Sequence, residues 1–146
     1  MKKYIIMIII TILNLMSFTS AFAGSGKAVV PLWVADSTQI TSLSLTNITS
    51  HNLVVSVKAY QEDGTLLSNS QFQYSNFQNS NTEIGARNTG IVYIISSVYH
   101  FGFAVITWNN KGTDDDLYGL VGDGSRAANG GSMWAVEVPV NGGNPF

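Results

Sequence analysis

The chain of 146 residues has no cysteine. That excludes disulfides, thiol catalysis, thiolate metal ligands and a lipid anchor carried on a cysteine, so the fold has to be held by its core. Charge is scarce too, at 11% of residues. Seven residues are basic, two of them Lys2 and Lys3, against nine acidic ones. From residue 24 onward the net charge is therefore −4, and the five basic residues are scattered. Nucleic acid and anionic membrane surfaces both require a basic patch and are not expected as partners. Histidine occurs twice, as His51 and His100, with no H-x-x-x-H pair, which leaves zinc without a ligand set. His51 reads as a solvated turn residue and His100 as a loop residue with a satisfied ring. No serine sits in a G-x-S-x-G elbow. The expectation is a protein that is not an enzyme and has no cofactor, with a hydrolase as a distant alternative.

What is present begins with an export signal. Lys2 and Lys3 precede the apolar run from Tyr4 to Met16, and Ala21-Phe22-Ala23 has the small-x-small form of a cleavage site. The run is shorter than the ~20 residues that span a bilayer. Residues 1–23 are thus expected to be a signal peptide cut between Ala23 and Gly24, leaving a single domain, 24–146, in the periplasm or outside the cell.

That domain alternates. In LVVSVKAY, Leu53, Val55, Val57 and Ala59 share one face, and in SLSLT Leu43 and Leu45 oppose Ser42, Ser44 and Thr46. The polar NITSHN between these runs predicts that they pair as antiparallel neighbours. Asp63-Gly64 suits a type I′ turn leading into a second hairpin over 66–74. The apolar stretch 90–108 approaches the length of a membrane helix, but its Val, Ile, Tyr and Phe content and the interrupting Ser96, Ser97 and His100 predict two central strands, 91–96 and 101–108. LYGLVG and MWAVEVPV supply two more, with Trp134, Val136, Val138 and Val140 on one face. Pro31 and Pro139 interrupt the first and last strands, which places both at sheet edges. The residues 75–90 read as a long loop. The fold class predicted is all-β: one antiparallel β-sandwich of about eight strands, immunoglobulin-like or jelly-roll.

Two places carry possible chemistry. QFQYSNFQNSN interleaves Phe72, Tyr74 and Phe77 with amides, the flat apolar rings and neutral hydrogen-bonding groups that a glycan or a surface protein would meet. The same spacing is that of an amphipathic strand laying Phe72 and Tyr74 into the core with Gln71 and Gln73 in water. KGTDDDLYGLVGDG holds four aspartates. Asp114 and Asp116 offer a calcium ion two carboxylates, but the D-x-[DN]-x-[DN]-G loop is missing. Solvated turns flanking a strand are the favoured reading. The expected function is binding or interaction at or outside the cell envelope, by a monomer or small oligomer without a membrane span. A structural or self-assembling surface subunit is the alternative.

Overall fold

Leu53, Val55, Val57 and Ala59 are all buried, as are Leu43 and Leu45, so the period-two pattern orients each strand as expected. The computed structural model describes residues 24–128 and 135–146. The expected signal segment 1–23, with Ala23, and Trp134 lie outside them. Among the described residues nine strands form: β1 Ser25–Ala35, β2 Gln39–Asn47, β3 Leu53–Gln61, β4 Phe72–Ser75, β5 Glu83–Ile84, β6 Thr89–Ile94, β7 His100–Asn110, β8 Leu120–Ala128 and β9 Ala135–Pro139. They make two antiparallel sheets, ordered β1-β7-β3-β5 and β4-β6-β2-β8-β9. The apolar faces of the two sheets enclose one core. The domain is a β-sandwich.

The stretch 90–108 forms β6 and β7, each between two neighbours in its own sheet. No helix among the described residues is long and apolar enough to cross a membrane. β1 and β9 lie at edges, as their prolines require. Pro31 falls where the β1–β7 register shifts, between Val30 and Trp33. In this bulge a missing N–H breaks no ladder bond.

Pairing corrects three expectations. β2 and β3 do not pair: β2 lies between β6 and β8, and β3 between β7 and β5. From β1 to β7 every strand is followed by one in the opposite sheet, so the polar 48–52 segment crosses the sandwich instead of folding back. Second, the turn after β3 is not type I′. Gly64 has φ of 84°, whereas Asp63 is not among the residues with positive φ. Gly64 N–H bonds the Gln61 carbonyl at 2.9 Å and Gln61 N–H the Thr65 carbonyl at 2.8 Å, a type I turn closed by a glycine bulge. The expected hairpin stops there, since Leu66 and Leu67 return to β3 while residues 72–75 join the other sheet. Third, β8 starts at Leu120 and runs through Asp123, which is an exposed strand residue paired with Ser44 and not a turn.

The order β4-β6-β2 is that of strands D, E and B in an immunoglobulin sheet, and β3 beside β7 matches C beside F. Here β1 takes the place next to F and β8 the place next to B. The side of the sandwich at β1 and β9 is closed by contact between these two strands. The opposite side, between β3 and β4, is not.

Candidate functional site

On that open side lies a cleft of about 470 Å³. One wall is β3 from Val54 to Lys58, and the other is formed by Phe72 and Tyr74 of β4 with Leu66 and Leu67. Ser80, Asn81 and Thr82 form the rim. The cleft exists because β5 is only two residues long. It pairs Ile84 with Leu53 and Glu83 with Val54, and between there and Ala59, where Leu66 and Leu67 return, the β3 edge has no neighbouring strand among the described residues.

Phe72, Tyr74 and Phe77 are each half-buried and packed against the core. Phe72 and Tyr74 stack with centroids 6.2 Å apart, and Phe77 meets Tyr74 edge-on at 5.1 Å. Burial pushes the Tyr74 phenol above its ordinary pKa. The three rings do not form one outward platform. Phe72 and Tyr74 give onto the cleft, while Phe77 packs over Gly90 and lines a separate opening with Asn76, Gln78, Asn88 and Thr89. Gln73 of β4 is exposed, as a strand with one face inward dictates, whereas Gln71 belongs to the 3-10 turn Asn69–Gln71 before the strand and is half-buried instead of standing in water. The sequence pattern identified one wall of the cleft. The other wall, β3, carried no signal of its own, because what distinguishes it is a missing neighbour.

The rim is held by charge. Asn79, Ser80 and Asn81 all have positive φ, 48°, 58° and 66°. Asparagine tolerates this region better than serine, so the run needs external support. Thr82 Oγ1 donates to the Asn79 carbonyl at 2.7 Å, and Asn79 Nδ2 donates to Glu83 Oε1 at 2.8 Å. The Glu83 side chain is 5% exposed and takes Lys111 Nζ at 2.9 Å. Lys111 first, and Asn79 next, hold the Glu83 carboxyl below its ordinary pKa. A depressed carboxylate stabilises the fold above its unfolded pKa, about 4.3, and that stabilisation is lost as pH falls through the folded value. Asp36, lowered to about 2 by hydrogen bonds from Gln39 and Thr38, adds a loss nearer pH 2. The melting temperature should therefore hold from pH 7 to pH 5 and fall below pH 4. Lys111→Met should melt lower than the parent at pH 7 and converge with it at pH 2. A constant difference at both pH values would remove Glu83 as the anchor of the rim.

The aspartate-rich stretch is not simply a solvated turn. Asp114 Oδ2 lies 3.6 Å from His51 Nδ1, and Asp116 Oδ2 lies 2.9 Å from His51 Nε2, which also lies 2.8 Å from Asn110 Oδ1. The imidazole is thus flanked by two carboxylates, with its side chain 24% exposed. Asn110 Nδ2 holds the Asp114 carbonyl at 2.6 Å, and Gly24 N–H bonds that same carbonyl at 2.9 Å. His51 is a junction between loops and not a solvated turn residue, a role its sequence neighbourhood could not reveal because its partners are about sixty residues away. No serine or threonine hydroxyl bonds its ring among the described residues, and no group of three or more His, Asp or Glu there has metal-holding geometry. His100 begins β7, and its Nδ1 is buried with no hydrogen-bond partner among the described residues, contrary to the expected satisfied loop ring.

Compared with models of protein families, with curated proteins and with solved structures, the chain gives no match.

Proposed function

We propose that this is an exported, non-enzymatic binding protein whose ligand enters the cleft between β3 and β4. The observation that carries the reading is the cleft itself: about 470 Å³, with Phe72 and Tyr74 on one side and the uncovered β3 edge on the other. Concave sites that combine aromatic walls with a few polar groups are where proteins take ligands. Here the polar groups are Asn69, Ser80, Asn81, Thr82 and the backbone of β3. Export is supported by Lys2-Lys3, the apolar run and Ala21-Phe22-Ala23. A partner fixed at or outside the envelope, a surface protein in preference to a glycan, suits a cleft whose rings are packed partly against the core and do not form one flat platform.

Leu66 stands at the mouth of the cleft and is 50% exposed, so it can be changed without opening the core. Purified exported protein should be retained on isolated cell envelopes, and Leu66→Glu should reduce that retention at least about tenfold, the effect of placing one charge in a contact worth about 1.4 kcal/mol. Equal retention of the two proteins, with both folded by circular dichroism, would rule the cleft out as the site.

A further inference from the structure

We infer that the cleft takes an extended peptide segment of a partner protein, which completes the broken edge strand of the four-stranded sheet. The inference rests on the reading of the cleft as a ligand site and adds the class of ligand.

The backbone carries it. Val55 N–H bonds the Thr82 carbonyl at 2.8 Å, on the side of β3 away from β7. Amide groups alternate sides along a strand, so Val55, Val57 and Ala59 all turn theirs to this edge. At the far end Leu67 N–H bonds the Ala59 carbonyl at 2.9 Å. Between them, at Val57, the ladder has no partner among the described residues. Residues 65–67 and 82–84 both run antiparallel to β3 and follow one another along its edge. Together they are the two ends of one edge strand whose middle is missing, because the chain leaves after Leu67 to build β4 in the other sheet. From Val55 to Ala59 the opening is four residues, about 13 Å at ~3.3 Å each. It admits about three residues of an antiparallel guest, the mode in which peptides add to exposed edges.

Side chains then set the pattern of the guest. Directly paired residues point to the same face. Val57 points inward and is 7% exposed, so the guest residue opposite it enters the cleft against Leu67, Phe72 and Tyr74. Lys58 points outward, is exposed and has no ion pair among the described residues. The guest residue opposite Lys58 is matched by a carboxylate. The ligand is an extended acidic-apolar segment: a glutamate or aspartate, then an aliphatic residue, then a polar one.

The test uses a capped pentapeptide of alanine, glutamate, valine, threonine and alanine with isotope-labelled exported protein. Saturable binding should shift the Val57 amide resonance and slow its hydrogen exchange. N-methylation of the valine amide keeps every side chain but removes the N–H that Val57 accepts, and should weaken binding about tenfold. Lys58→Glu should weaken it about fivefold, and a peptide with lysine in place of glutamate should restore it in that variant. No binding at millimolar peptide, equal binding of the N-methylated form, or shifts confined to another face would overturn the inference. So would slowing of Val57 exchange with protein concentration alone, which would make a second copy the occupant. If the peptide fails while Leu66→Glu still abolishes envelope retention, the cleft remains the site and the extended-peptide ligand falls. Loss of both would remove the site as well.

Discussion

Trp108→Ala should lower stability by about 3–5 kcal/mol, the range for emptying a large aromatic from a core. Against a total of about 5–15 kcal/mol, this brings the domain close to unfolding. The ring is fully buried, and its Nε1 donates to the Phe146 carbonyl at 2.7 Å. The same oxygen accepts N–H from Gly119 and from Leu120, both at 3.0 Å. Gly119 lies against the face of the ring, where an added Cβ would come within 2.6 Å of it, and Gly26 approaches the indole edge. One indole thus ties β7 to the start of β8 and to the Phe146 end, whose ring is itself buried. Trp108→Phe keeps most of the packing and loses the hydrogen bond, so it should cost about 1–3 kcal/mol. Urea unfolding measures both. A Trp108→Ala protein within 1 kcal/mol of the parent would contradict this account of the core.

Gly102→Ala should be severe for a different reason, at about 3 kcal/mol, the upper part of the range for overpacking. Gly102 is paired with Trp33 of β1 on one side and Gln61 of β3 on the other. A Cβ there would collide with the Tyr60 carbonyl oxygen. That oxygen cannot retreat freely, because it accepts Trp33 Nε1–H at 3.1 Å, a donor shared with the Phe103 carbonyl at 3.1 Å. Trp33 is fully buried, so separating β3 from β7 would cost its N–H one of its two acceptors and leave it the Phe103 carbonyl alone. Gly64→Ala supplies the contrast. Nothing lies within 4 Å of its Cβ position, and the φ of 84° is the only obstacle, so about 1 kcal/mol is expected. Thermal melts of the two variants should separate clearly. Equal losses would mean that the Tyr60 carbonyl gives way to the added methyl group at little cost.

Side-chain direction was legible in the sequence because a strand has period two, and the inward faces of β2 and β3 follow from their leucines, valines and alanine. The prolines placed β1 and β9 at edges for an equally local reason. Strand partners were not legible. A polar loop such as 48–52 has the same composition whether it closes a hairpin or crosses between sheets, and here the chain crosses after every strand from β1 to β7. β5, two residues long, has no period to detect. The site divides in the same way. Phe72 and Tyr74 stand out by spacing, whereas Val57 is one more valine until the strand beside it is found to stop. Asp114 and Asp116 suggested metal or solvent because the histidine between them comes from position 51.

The missing middle of the edge strand can be tested without any ligand, by amide hydrogen exchange of the folded protein near neutral pH. Val55 N–H is bonded to Thr82, and Lys58 N–H faces β7, so both should exchange slowly. Val57 N–H faces the cleft and should exchange faster than either by at least about a hundredfold, since its opening requires no breakage of the sheet. Protection of Val57 equal to that of its neighbours would mean that the β3 edge is already covered, and the cleft would have no strand to offer a partner.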